Sequence, residues 1–358
     1  MRGSPGAEGM VFAHRGTAPA RVEPLKVTRE QREEIEDRHL TGGATRARGA
    51  GNRALSEAPD ANRTCFERDR DRILHSNAFR RLAGKTQVFV FPADHQRTRL
   101  THALEVAQVA TAVAAATGLN VALTEAIALG HDCGHGPGGH ASEEVFDLYI
   151  PGGFHHALWG ADVVLKPLNL CAETLDGIRH HSWSLPTPMT PEGVVVSWAD
   201  RCAYSAHDLE DAVGTGVVSA DELPASVSEI LGTSRSSQLR ALIGALVSSI
   251  STTGLVAMDR EHADALSDLR AFNYEMIYNR PESLAQGRAV MEVLTALVEA
   301  FIASPGLLPD AEGEDVTAAA VTYVAGMTDR FAFDTATRLL DWPVERLPRG
   351  IYGTLLGE

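Results

Sequence analysis

Proline and glycine recur along this chain at the spacing of helix ends, and that punctuation constrains the fold more than any other feature. The breaks GLN at 118–120, PGG at 151–153, LPTP at 185–188, NRPES at 279–283 and SPGLLPD at 304–310 are turn or cap signals. Between them apolar residues return at helical spacing. This predicts helices near 97–117, 120–132, 140–149, 155–167, 171–182, 191–213, 226–252, 258–279, 282–303 and 314–340. Hydrophobic residues make up 44% of the 358 positions but aromatic residues only 6%, with long Ala/Leu/Val stretches. That composition suits a helical interior better than a sheet built from aromatic and branched side chains. The expected class is all-α. One segment departs from it: KTQVFVF at 85–91 reads as a short strand or hairpin. Residues 1–60 are rich in Gly, Ala, Arg and Glu with little apolar periodicity, and are expected to be mostly disordered.

Net charge and cysteine usage exclude several functions. A formal charge of −15 argues against broad nucleic-acid binding, which draws its affinity from Lys and Arg contacts to phosphate. Yet between Arg63 and Arg99 nine basic residues face four acidic ones, a local positive stretch that suits an anionic small molecule. The four cysteines are far apart with no CxxC pair, so neither a disulfide framework nor a zinc ribbon is expected. No long uncharged apolar run is present and the first residues lack the apolar stretch of a secretory signal. A cytoplasmic protein without membrane contact is expected.

Chemistry concentrates in EAIALGHDCGHGPGGHASEE, which holds His131, Asp132, His135 and His140. Neutral imidazole and carboxylate are common ligands of divalent first-row metals, and a His-Asp pair at a helix end can offer two of them to one ion. The glycines at 134, 136, 138 and 139 permit a tight turn with close backbone approach. In RLTHALEVAQVATAV, His102 shares a face with Val106, Val109 and Val113, and His131 shares one with Leu123 and Ile127. Two histidines on apolar faces can converge inside a helical bundle, although a lone histidine there is more often a satisfied core residue. In VVVSWADRCAYSAHDLEDA, Asp200, Tyr204 and Asp208 form one stripe. A carboxylate after so apolar a run is either a buried ligand or part of an ion-paired surface.

The order His102, then His131-Asp132, then Asp200 resembles the H…HD…D signature of the HD phosphohydrolases. More narrowly, FERDRDRILHSNAFRRLAGKTQVFVFPADHQRTRLTHALEVAQVA, ALGHDCGHGPGGHASEE, GGFHHALWGADVV, WADRCAYSAHDLEDA and YVAGMTDRFAFDTATRLL resemble the deoxyguanosinetriphosphate triphosphohydrolase family, over roughly residues 63–340. The resemblance implies an HD-domain helical bundle over 61–215 with a small β-hairpin, and a C-terminal helical region over 216–358 packed on it. It implies that His102, His131, Asp132 and Asp200 hold a divalent metal ion. Mn or Mg leads, and the N and O donors also admit Fe, Ni, Co or Zn. His135, His140, Glu143 and His156 match the catalytic and phosphate-handling positions. Gln87, Arg99, Arg201, Tyr204 and Asp208 match the substrate contacts. The implied activity is hydrolysis of dGTP, or of deoxynucleoside triphosphates more broadly, to deoxynucleoside and inorganic triphosphate. A homo-oligomer and a nucleotide activator are implied as well.

Two departures bear on that expectation. The family's Pro-Phe-Gly-His reads Pro137-Gly138-Gly139-His140 here, which is expected to loosen the turn. The polar support after His156 is altered, because His155-His156-Ala157-Leu158-Trp159-Gly160 stands where many relatives read Glu-His-Asn-Glu-Gln-Ser. Two competing readings remain open on sequence: an HD phosphomonoesterase acting on a nucleoside monophosphate or modified nucleotide, and a nucleotide sensor without turnover.

Overall fold

The computed structural model describes residues 4–5, 10–14, 21–92, 95–309 and 315–350. Among these the fold is all-α, as expected, with fifteen α-helices. Its centre is a bundle of α4 (Arg99–Thr117), α5 (Val121–Gly130) and α9 (Pro191–Gly214), mutually packed. Two of them begin where the sequence supplies a cap: Asn120 accepts from the Leu123 amide ahead of α5, and Thr190 accepts from Gly193 ahead of α9, which has Pro191 in its first turn. Helix α4 stops at Gly118, whose φ of 71° is the left-handed conformation that ends helices.

Around this centre pack α2 (Cys65–His75), α3 (Asn77–Arg81), α8 (Ala172–Arg179), α10 (Ala225–Ile230), α11 (Arg235–Thr253) and α12 (Arg260–Asn273). A second apolar cluster joins α6 (His140–Asp147) to α13 (Pro281–Ala303), α14 (Val316–Ala325) and α15 (Asp329–Leu340), with Phe146, Val290, Leu294, Val324 and Phe333 fully buried. The turn 131–139 runs between the two clusters, so packing on both sides fixes its path.

Several expectations change. Segment 85–91 forms bends rather than a hairpin, with one isolated bridge between Thr86 and Thr98. Adjacent Phe89 and Val90 are both buried, so the segment lacks the two-faced alternation a strand needs. The paired strands among the described residues are β1 (Ser4–Pro5) and β2 (Val11–Phe12), antiparallel. The helix expected over 226–252 is two, α10 and α11, because Gly232 adopts φ 86° and Ser234 caps a new start. That over 314–340 is also two, since Thr328 caps α15. Helix α7 (His156–Trp159) runs into a π-turn over Gly160–Val164 instead of continuing regularly to 167.

The disorder expected over 1–60 does not hold for its described part beyond residue 20; the remaining positions of 1–20 lie largely outside the described residues. Helix α1 (Arg29–His39) starts in a capping box of Thr28 and Gln31. After it, Arg53 is buried and donates to Asp69 Oδ1 at 2.5 Å and to Cys65 O at 2.9 Å. Buried Glu192 of α9 accepts from Thr45 N at 3.0 Å, Thr45 Oγ1 at 2.7 Å and Asn120 N at 3.0 Å. The polar groups that look solvated in sequence thus find partners far along the chain.

Candidate metal centre

His102, His131, Asp132 and Asp200 meet where α4, the end of α5 and the middle of α9 approach. His131 directly follows α5, and its Nδ1 donates to Ala128 O at 2.6 Å. That bond fixes the tautomer and leaves Nε2 bare, buried and without a hydrogen-bond partner. His102 Nε2 lies 3.0 Å from Asp200 Oδ1 and 3.8 Å from Asp132 Oδ2. His131 Nε2 lies 3.5 Å from Asp132 Oδ1 and 3.7 Å from Asp200 Oδ1. Donors about 2.1 Å from one ion and at right angles to each other are about 3.0 Å apart, and wider angles give more, so His102, His131 and Asp200 have the spacing to hold a single divalent cation, with Asp132 presenting Oδ2 toward His102 and Oδ1 toward His131 beside them.

The charges already lean toward a cation. Burial opposes ionisation of Asp132, but His131, Arg99 and His135 outweigh it and hold the carboxyl well below its usual range. Burial likewise opposes Asp200, and the His102 hydrogen bond with the surrounding imidazoles drives its pKa down. Arg99 Nη1 donates to Asp132 Oδ2 at 2.6 Å, so this arginine is clamped to the set by a charge-assisted bond.

A second group of side chains lies against the first. Glu143, in the first turn of α6, accepts from His140 Nδ1 at 2.7 Å, from the His156 backbone amide at 3.1 Å and from His156 Nδ1 at 3.1 Å. Burial would raise the Glu143 pKa; hydrogen bonds from His140 and His156 instead hold it far below the carboxylate range. The His156 ring stacks on His135 with centroids 3.8 Å apart, while His135 Nε2 lies 3.1 Å from Asp132 Oδ1. His140 is the exposed member of this group, its side chain 75% exposed while its ring edge meets His135 at a centroid distance of 4.8 Å. His155 stacks on His156 and its Nδ1 accepts from the Ala157 amide, so the altered sequence supplies its own cap for α7.

The turn is anchored from the C-terminal helices. Buried Asp329 accepts from Gly138 N at 2.8 Å, Thr86 N at 2.9 Å and Thr86 Oγ1 at 2.5 Å. A Cβ on Gly138 would strike Val290 Cγ1, so α13 fills space that a larger residue would need and the turn is packed rather than loosened. At Gly134 a Cβ would run into His156 O and Gly160 N, which is why α7 can approach the ligand loop. Replacing Asp329 with alanine orphans three buried donors and is expected to cost on the order of 3 kcal/mol in denaturant unfolding.

Lys85 contributes a pH signature. Its buried Nζ donates to His135 O and to Ala325 O, the latter at 2.9 Å, and burial pushes its pKa from 10.5 down to about 8 despite nearby Asp329. Between about pH 8 and 10.5 the unfolded chain holds this proton and the folded chain has released it. The group therefore makes stability rise with pH across that window, by on the order of 3 kcal/mol. Unfolding of wild type and Lys85→Met compared over that range should show the rising contribution in the wild type alone.

The residues expected to contact substrate are placed unevenly. Arg99 is buried and bonded to Asp132 beside the His/Asp cluster. Gln87 is half-buried with its Oε1 unpartnered. The Arg201 guanidinium lies 3.5 Å from the centre of the Trp183 ring, and Tyr204 Oη accepts from Arg270 Nε at 2.9 Å. Both Asp208 oxygens are engaged, Oδ1 by Arg97 and Oδ2 by the Tyr278 hydroxyl. His181 is a residue the sequence reading missed. It is buried after α8, its Nδ1 donates to Ile178 O at 2.8 Å, and its ring centroid lies 4.9 Å from that of His131. The available signal was IRHHSW, a pair of histidines just past a helix end, in which His181 stands two positions beyond α8 where His131 stands one beyond α5.

The bundle and its His/Asp cluster define an HD-domain phosphohydrolase: residues 99–205 match the HD domain and residues 256–338 the phosphohydrolase-associated domain. A deoxyguanosinetriphosphate triphosphohydrolase-like protein of Caldanaerobacter subterraneus subsp. tengcongensis is 40% identical over 316 residues, covering 85% of this chain and 93% of that protein. Proteins of the same name from Clostridium perfringens strain SM101 (39% identity, 77% of this chain, 86% of the relative) and Desulfatibacillum aliphaticivorans (38%, 85% and 95%) agree. The chain belongs to the deoxyguanosinetriphosphate triphosphohydrolase-like family. Among the described residues no helix is long and apolar enough to cross a membrane.

Proposed function

We propose that this chain hydrolyses deoxynucleoside triphosphates to deoxynucleoside and inorganic triphosphate, using a divalent ion held by His102, His131, Asp132 and Asp200. The observation that carries the reading is the bare, buried His131 Nε2 converging with His102 and two ionised carboxylates. An ion bound there supplies Lewis-acid stabilisation of phosphoryl charge and lowers the pKa of water toward about 7. The family's name for its members supports the nucleotide class. Two imidazoles in the set favour Mn over Mg, whose preferred ligands are oxygens.

The protein's own groups do the rest. Arg99 fixes Asp132 through Nη1 while its buried Nε has no partner, which leaves donor capacity for a phosphoryl oxygen. Exposed His140 donates through Nδ1 to Glu143, and as general acid it would pass a proton from Nε2 to the 5′-oxygen as the bond from that oxygen to the α-phosphorus breaks. Glu143 holds both His140 and His156 and so sets their orientation. Tyr204, on the helix that carries Asp200, would meet the sugar with an aromatic face that has no partner for a 2′-hydroxyl. Metal-stripped protein given Mn²⁺ and each of the four dNTPs or GTP tests this reading. The dNTPs should be consumed and GTP spared; turnover of nucleoside monophosphates alone would replace it with the phosphomonoesterase reading.

A further inference from the structure

Cys65 and Cys171 are far apart in sequence, yet their thiols meet in the fold. Cys65 is the first residue of α2 and Cys171 occupies the N-cap position of α8. Both are buried, and the two thiols hydrogen-bond to each other. A Cβ on Gly51 would stand 2.4 Å from Cys171 Sγ and 3.2 Å from Cys65 Sγ, so a single point in that turn touches both sulfurs. With Gly51 at φ 85°, the turn closes over the pair with backbone alone.

The backbone on both sides of the pair is pinned. Asp69 Oδ2 accepts from Cys171 N at 2.8 Å and from Thr174 Oγ1 at 2.8 Å. Arg53 joins the same assembly, donating to Asp69 Oδ1 at 2.5 Å and to Cys65 O at 2.9 Å. With the two backbones held, rotation of the side chains is the movement that brings the sulfurs to bonding distance. A helix N-terminus favours a thiolate, because unpaired backbone amides point at it. Hydrogen bonds from the Cys171 thiol and the Arg48 amide, with the Arg53 charge, draw the Cys65 pKa down against burial and the nearby Asp69. The same pairing, with burial, raises that of Cys171, which casts Cys65 as the attacking sulfur and Cys171 as the resolving one.

We propose that Cys65 and Cys171 form a site of reversible oxidation that closes to a disulfide with hydrogen peroxide as the oxidant. The Cys65 thiolate attacks one peroxide oxygen; an S–O bond forms, the O–O bond breaks, and the departing hydroxide takes up a proton and leaves as water. The Cys171 sulfur then attacks Cys65 Sγ; the S–S bond forms, the S–O bond breaks, and the hydroxyl leaves as water with the Cys171 proton. Two thiols lose two electrons in all, and one peroxide is reduced to two waters. The disulfide closes a loop that contains His102, His131 and Asp132, and constraining the unfolded chain in this way favours the folded state. The site is independent of the reaction proposed above and stands or falls without it.

The test treats reduced full-length protein with hydrogen peroxide, unfolds it in the presence of an alkylating agent, and maps the peptides by mass spectrometry without reduction. The wild type should yield a linked Cys65–Cys171 peptide pair, with Cys133 and Cys202 alkylated as free thiols. Its Tm should rise by about 5 °C over the reduced protein and fall back on reduction. In Cys171→Ser the same treatment should leave Cys65 as a sulfenic acid trapped by dimedone, with no rise in Tm; Cys65→Ser should likewise show no rise. The wild-type peptide map decides the pairing should either variant fold poorly. Free Cys65 and Cys171 after treatment, or a link from either to Cys133, Cys202 or a second chain, overturns the proposal. A Cys65–Cys171 link without a rise in Tm, or the same rise in a folded serine variant, overturns the stabilising effect assigned to it.

Discussion

Replacing Asp132 with alanine should lower kcat by about a thousandfold or more, because losing a carboxylate of the proposed metal centre removes several kcal/mol of transition-state stabilisation. The same change also leaves Arg99 buried without its partner and is expected to destabilise the fold. Asp200→Asn separates the two effects. Asp200 is bonded to His102 rather than to an arginine, and an amide can still bond to that imidazole while ligating a cation poorly. Activity assays alongside denaturant unfolding check the pair. Asp200→Asn is expected to retain near-wild-type stability and lose activity by a similar factor, with Mn content falling in step. Full activity in either variant would remove these carboxylates from the reaction.

The largest stability effect is expected at Arg97. Its guanidinium is buried among three carboxylates: it pairs with Asp208, lies 2.9 Å from Asp211 Oδ2 and lies 3.1 Å from Glu105 Oε2. Burial acts against the charge, but Asp208, Glu105 and Asp211 together keep the arginine firmly protonated. Arg97→Met keeps the length and strands those carboxylates in a low-dielectric interior. The expected loss is about 3–5 kcal/mol, read as a lower denaturation midpoint. A loss smaller than about 1 kcal/mol would mean that water or a rearranged side chain takes over the pairing. Because Asp208 also accepts from Tyr278 and sits two turns beyond Asp200 on α9, the cluster is a structural base for the ligand helix as well as a neighbour of the site.

What the sequence revealed and what it concealed have a common cause. That His102 and Asp200 turn inward was legible because each sits within a helical pattern whose buried face is already written in Val106, Val109 and Val196, and that His131 and Asp132 do so was legible because they directly follow the face of Leu123 and Ile127. Helix starts were legible where a capping residue and an apolar run coincide, as at Asn120 and Thr190. Breaks inside long apolar stretches were less legible. Gly232 and Thr328 interrupt patterns whose periodicity continues on both sides, and the decision rests on how the second half packs. The order of residues 40–60 was hidden because it depends on Asp69 and Glu192, partners that no local pattern identifies. The burial of His181 was hidden for a related reason: a histidine past a helix end gives no local sign that His156 and His131 will be packed against it. The turn at 137–140 shows the same limit. Its glycines suggested looseness, and Val290 and Asp329, supplied from the far end of the chain, hold it in place.

The proposed reaction breaks the bond between the 5′-oxygen and the α-phosphorus of a deoxynucleoside triphosphate at this His/Asp centre. The most direct measurement is a single-substrate reaction run in ¹⁸O-labelled water with Mn²⁺, with products separated by ion exchange and weighed by mass spectrometry. Deoxynucleoside and intact triphosphate in equal amounts, with the label in the triphosphate, is the predicted result. Release of orthophosphate or pyrophosphate, or label in the deoxynucleoside, would contradict it.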